Sequence, residues 1–119
     1  MIVRISRGLI SAGGESEAFA LLRDSLSDAG RPDGLEAFVI ARRMVEGQLE
    51  LVAMTGWRDV PSMVAMMGPD LQTPSWLPRL AELVEVSSIE YLESVAESYN
   101  DLTGLDPTAI DLLAPTDPA

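Results

Sequence analysis

Leu49–Asp70 reads LELVAMTGWRDVPSMVAMMGPD, and this stretch decides the fold. Its first half, Leu49 to Trp57, has the mix of Val, Leu and Trp that suits a strand. At Asp59 the period changes, and Val60, Met63, Val64 and Met67 recur at the spacing of one helix face. The Asp59 carboxylate is placed to cap that helix by accepting from the open amides of its first turn. Pro61 falls in the same turn, where its missing N–H costs nothing, and Gly68-Pro69 stops the helix. A strand that leads through Trp-Arg-Asp into a short helix is half of a βαββαβ unit.

Working outward, Ile2–Ile10 alternates as a strand, with Val3 and Ile5 on one face and Arg4 and Ser6 on the other. Ser11–Gly14 is a turn. Glu15–Ala29 is the first helix, its stripe formed by Phe19, Leu22, Leu26 and Ala29. Leu35–Met44 is a second strand, and Glu46-Gly47-Gln48 folds it back on Leu49 as a hairpin. Pro74 and Pro78 break Leu71–Glu85 into loop plus one helical turn around Arg79–Val84. Ile89–Val95 is the last strand, with Ile89, Tyr91 and Val95 on one face. The order β-α-β-β-α-β predicts an α+β, ferredoxin-like sandwich with both helices on one face of an antiparallel sheet. Residues 1–95 form that domain, and 96–119 form a partly ordered tail. A short helix is expected at Thr108–Leu113, and Leu102, Leu105, Ile110 and Leu113 are apolar enough to pack on the sheet or a partner.

In a lone sandwich the helix-free face meets water and should be polar. Here Phe38, Ile40 and Met44 lie opposite Leu35, Ala37 and Val39, while Val52 and Met54 lie opposite Leu51, Ala53 and Trp57. Two apolar faces imply a second covering layer, and a second copy of the chain is the simplest one, so a homodimer is expected.

Composition narrows the chemistry. The 119 residues contain no His, Cys or Lys, which removes thiolate and Schiff-base catalysis, Cys/His zinc sites and imidazole-ligated haem. Any general base is a carboxylate, a tyrosine or the substrate itself. All eight cations are arginines, whose planar fork suits planar anions. A net charge of −11 argues against nucleic-acid partners and anionic membranes. No apolar run approaches the roughly 20 residues of a membrane span, and no signal peptide is evident, so a cytoplasmic location is expected. No cofactor is expected: haem and zinc lack their usual ligands, and flavin lacks a Gly-rich phosphate loop before a helix.

The segments MIVRISRG, TGWRD, MGPD, Pro78 and SSIEYLESV, taken in order over residues 1–95, resemble the antibiotic biosynthesis monooxygenase family of dimeric α/β barrels. The resemblance implies the barrel-forming dimer, and its superfamily spans oxygenases, haem-handling proteins and isomerases. Two positions depart from it. Ser6 stands where members often carry an aromatic, and Glu90 stands where they often carry a His. The haem-degrading branch needs a proximal His, which this chain lacks.

Five residues are candidates for a ligand site. Arg7 shares its strand face with Val3 and Ile5, where a charge needs a carboxylate or an anionic ligand, unless it reaches solvent past Gly8. Trp57 lines a cavity or packs in the core. Tyr91 donates to a ligand oxygen or sits with its hydroxyl at the core's edge. Met66 is off the helix stripe and faces a cavity or a partner, and Trp76 in its Pro-rich loop is a lid or an interface anchor. Arg58 alternates to the other face and is expected to pair with a carboxylate.

Two functions fit. One is a cofactor-independent monooxygenase acting on a small aromatic or polyketide-like molecule, with a dry cavity and a cation holding the substrate anion while it reacts with oxygen. The other is a non-catalytic barrel that binds a small apolar ligand or serves as an interaction module. A pocket on which Arg7, Tyr91 or Trp57 converge favours the first, and a filled core the second.

Overall fold

The computed structural model describes residues 1–28 (side chains through Ser25), 30–72 and 78–98. The Leu26 side chain and Ala29 of the expected helix stripe, the lid candidate Trp76 and the tail beyond Ser98 lie outside the described residues. The elements run β1 (Ile2–Ile10), α1 (Glu15–Asp28), β2 (Leu35–Val45), β3 (Gln48–Trp57), α2 (Val60–Met67), α3 (Pro78–Ala81) and β4 (Val84–Glu93). The four strands form one antiparallel sheet in the order β2-β3-β1-β4, which is the ferredoxin-like α+β topology.

Local chemistry explains the joints. Glu46 and Gly47 both adopt left-handed backbone, with φ of 51° and 82°, so the β2–β3 loop is a two-residue turn whose twist matches the strands. The Asp59 carboxylate accepts from Ser62 N–H at 2.8 Å and caps α2, and Pro61 sits in its first turn. Gly68 closes α2 with its N–H on the Val64 carbonyl at 2.8 Å. Glu15 and Glu17 lie at the N-terminus of α1, where the helix dipole favours acids.

The register sorts the sheet into cross-strand rows. On the helix-facing side these are Leu35–Trp57–Ile2–Glu93, Phe38–Thr55–Arg4–Tyr91, Ile40–Ala53–Ser6–Ile89 and Arg42–Leu51–Gly8–Ser87. The core fills one end of that side: Ile10, Leu49 and Leu51 of the sheet meet Ala18 of α1 and Leu80 of α3, with Phe19, Leu22 and Leu83 against them. Each such side chain contributes about 1.5–3 kcal/mol by leaving water. Arg42 stacks over the Phe19 ring at 5.3 Å. α2 closes on the sheet through the buried Met63.

The last strand differs from the sequence expectation of Ile89–Val95. It begins at Val84 and ends at Glu93. Glu85, Ser87 and Ser88 dilute the apolar signal, but Val84 and Val86 find partners in Ile10 and Leu9, with a register shift between those two. The expected turn at Arg79–Val84 is displaced to Pro78–Ala81, because Pro78 fits a helix start and Leu80 plugs the core. Of the expected Ile89, Tyr91 and Val95 face, the first two share the helix side, while Val95 lies past the strand end.

Candidate functional site

The helix-facing side is filled at the Ile10 end and open at the Trp57 end. There a cleft of about 530 Å³ runs along β2, with Phe38, Thr55 and Trp57 as its floor and Ser25 of α1 and Met66 and Met67 of α2 as its walls. A register shift between Leu35 and Ala37 turns Leu35 into the same cleft. The lining is largely apolar and aromatic, as small-molecule sites are. Among the described residues, Glu36 is the one carboxylate lining it and Arg31 the one cation.

Trp57 is 2 % exposed, and its indole N–H donates to the Thr55 hydroxyl at 2.9 Å. That bond fixes the ring and orients Thr55 in the cleft floor. Behind Thr55, on the next strand, is Arg4, only 4 % exposed. Its Nη1 donates to the Ser6 hydroxyl at 2.8 Å and its Nε to the Tyr91 hydroxyl at 3.4 Å. The cluster Arg4–Ser6–Tyr91 thus lies on the cleft's side of the sheet, with Arg4 and Ser6 one strand beyond the cleft floor and Tyr91 two.

A smaller depression of about 350 Å³ adjoins the cleft at Arg31–Glu36 and Arg58. Two of its charges, Arg58 and Asp33, are paired with each other, and the Arg31 Nε donates to the Leu35 carbonyl at 2.7 Å. Arg58 reaches Asp59 at 3.3 Å and Asp33 at 3.4 Å, as expected for that residue, and its Nη2 donates to the Ser62 hydroxyl at 3.0 Å. The Asp59 and Asp33 carboxylates raise the Arg58 pKa. The Ser62 hydroxyl and then the Ser62 backbone N–H hold the Asp59 carboxyl below the usual carboxylate range, and Arg58 adds less.

The candidate residues separate. Trp57 and Met66 line the cleft, Met66 remaining 56 % exposed at its mouth. Tyr91 sits two strands away from Thr55 in the same row. Arg7 is on the opposite, helix-free face, ion-paired with Glu90, so it neither approaches the cleft nor lacks a partner. Glu90 is therefore the carboxylate that satisfies Arg7. Arg4 is the residue that the sequence reading passed over. Its signal was the pairing of Arg4 and Ser6 on one face of a strand whose neighbours are apolar on both sides. Ile2 and Ile10 share that face, so it belongs to the interior.

Among the described residues, no three His, Cys, Asp or Glu side chains converge as a metal site, and no helix is long and apolar enough to cross a membrane.

Neither a scan against protein-family models nor a search of curated proteins returns a match. Solved structures do match. A candidate antibiotic biosynthesis monooxygenase from Deinococcus radiodurans superposes with a TM-score of 0.59 at 16% identity, covering 84% of this chain and 97% of that one. This chain has the fold of the antibiotic biosynthesis monooxygenase structures. The heme-degrader MhuD from Mycobacterium tuberculosis, solved with two hemes in its active site, matches at a TM-score of 0.59 and 17% identity over 82% of this chain and 99% of that one. SnoaB, a cofactor-independent oxygenase from Streptomyces nogalater, matches at 0.55 and 15% identity over 81% and 95%. At such identities the likeness extends to the fold, and the site is argued from this chain's residues.

Proposed function

We propose that the chain is a cofactor-independent oxygenase that takes a small aromatic or polyketide-like molecule into the Phe38–Thr55–Trp57 cleft. The observation that carries this reading is the cleft itself, an apolar slot with an oriented hydroxyl in its floor and a carboxylate in its lining. A planar substrate lies between the Phe38 and Trp57 floor and the Met66 and Met67 wall. Glu36 accepts the proton that turns a benzylic or α-carbonyl CH₂ into a delocalised anion. That anion passes its electrons to oxygen, and the balanced outcome is R₂CH₂ + O₂ → R₂C=O + H₂O. The Thr55 hydroxyl, whose oxygen accepts from Trp57, has its own hydrogen to donate to the anion's oxygen. Haem held by imidazole or thiolate is not a fit, because the sequence has neither His nor Cys. The experiment is oxygen uptake by metal-stripped protein with 1,8-dihydroxyanthrone, for wild type and Glu36→Gln. The reading requires uptake above the uncatalysed rate and a loss in the variant. Tight binding of the anthrone without uptake would instead establish a non-catalytic barrel.

The dimer belongs to the same proposal. On the helix-free face Val39 is 54 % and Leu92 50 % exposed, with Met54 beside Val39 and Val86 on the same face toward the other end of β4. Two such faces packed together would bury these side chains together with the Arg7–Glu90 and Arg43–Glu50 ion pairs. Sedimentation at micromolar concentration should give a species of twice 12.8 kDa, and a monomer alone would overturn it.

A further inference from the structure

We propose that Arg4 is an anion-binding residue, whose guanidinium takes the planar oxyanion of a two- or three-ring aromatic acid or enol seated on the helix-facing side of the sheet. The inference rests on the cleft reading above and narrows it to a substrate class. Its basis is a missing counterion. Arg7, three residues along β1 on the helix-free face, is partly exposed and has Glu90. Arg4 is almost fully buried and has no carboxylate within ion-pair distance among the described residues; its acceptors there are the neutral hydroxyls of Ser6 and Tyr91. A guanidinium carries five N–H donors. Two are used, and three have no acceptor among the described residues. A buried charge with unsatisfied donors is costly and calls for an anion.

Geometry sets the ligand's size. Arg4, Thr55 and Phe38 are successive members of one cross-strand row, and strands lie about 4.8 Å apart. Phe38 and Arg4 are therefore separated by about 10 Å, the length of a fused two- or three-ring system. Arg4 lies one strand past the cleft's lining, so a body stacked on Phe38 has to extend over Thr55 and beyond the floor to bring its far oxygen to Arg4. The planar fork matches a carboxylate or a delocalised enolate, and the Tyr91 hydroxyl stands beside it as a second donor.

The test is calorimetric titration of the full chain with two matched pairs. 2-Hydroxy-1,4-naphthoquinone, an enolate at neutral pH, is compared with its neutral 2-methoxy ether. Naphthalene-2-carboxylate is compared with naphthalene-2-carboxamide. Wild type should prefer at least one anion over its neutral partner by about tenfold or more, and the pair that discriminates identifies the oxyanion as enolate or carboxylate. Arg4→Met should level the pair while retaining the neutral ligand's affinity, and its ligand-free melting midpoint should not fall, since a buried charge without a counterion is removed. Arg4→Lys, which keeps the charge without the fork, should retain part of the preference. Equal binding of anion and neutral partner by wild type overturns the inference while leaving the cleft reading intact. So does a preference that survives in Arg4→Met, or a ligand-free midpoint that drops sharply in it. Binding of no probe overturns both readings.

Discussion

Gly34→Ala tests the contact that holds the cleft's outer rim. Gly34 precedes β2 with φ of +83°, and its carbonyl accepts from Arg58 N–H at 2.8 Å. A Cβ added there would stand 2.3 Å from the Ser62 Cβ and 2.5 Å from its hydroxyl, whereas ordinary contact begins near 3.4 Å. About 1 Å of movement is needed, and Ser62 is not free to give it. Its N–H is held by Asp59 and its hydroxyl by Arg58. The left-handed backbone costs alanine about 1 kcal/mol, and forced overpacking adds about 2 kcal/mol. A total of about 3 kcal/mol lowers the midpoint of a domain this size by about 10–15 °C. Gly47→Ala is the control: its φ is +82° but nothing lies within 4 Å of the added Cβ, so it should cost only the backbone share, about 1 kcal/mol. Thermal melts of both variants followed by circular dichroism separate the two terms. Equal losses would mean that α2 does not press against Gly34, and the cleft rim built from that contact would be wrong.

Arg7→Met breaks an ion pair on the face away from the cleft that the proposed dimer buries, so it should weaken the dimer by leaving Glu90 without its counterion and leave the affinity for naphthoquinone ligands unchanged. A tenfold loss of binding would contradict the placement. Asp59→Ala removes the α2 cap and should lower the melting midpoint at neutral pH. The folded Asp59 carboxyl titrates below its unfolded value, so its stabilisation is whole above about pH 4 and is lost as the pH falls through the folded value. Melts of wild type and variant should therefore converge in acid, and a constant gap would refute the capping account. Leu51→Ala at the filled end of the core should cost about 2–5 kcal/mol, measured by urea unfolding, and a loss under 1 kcal/mol would deny that end its role.

The fold was legible because its joints carry their own chemistry. Asp59, Pro61 and Gly68 mark α2 within a few residues, and Glu46-Gly47 marks the hairpin. The β4 start was not legible, since Val84 and Val86 become strand only by pairing with Ile10 and Leu9, a contact about 75 residues away in sequence. The cleft was half legible. Trp57 and Met66 could be picked from composition, but which face of β1 meets the helices depends on packing that alternation alone leaves undecided. Val3 and Ile5 made one face look interior, and Arg7 went with it. The helices instead cover the face of Ile2, Arg4, Ser6 and Ile10, which places a buried arginine where an exposed one was expected.

The central claim is that a planar aromatic ligand occupies the helix-facing cleft, and the Trp57 indole N–H reports on it directly. It is buried, bonded to Thr55 and gives its own proton resonance. Titrating ¹⁵N-labelled protein with 2-hydroxy-1,4-naphthoquinone should shift that resonance together with the amides of Phe38, Thr55 and Met66. Shifts confined to Val39, Met54 and Leu92 on the helix-free face, or an unmoved Trp57 indole at saturation, would contradict the account.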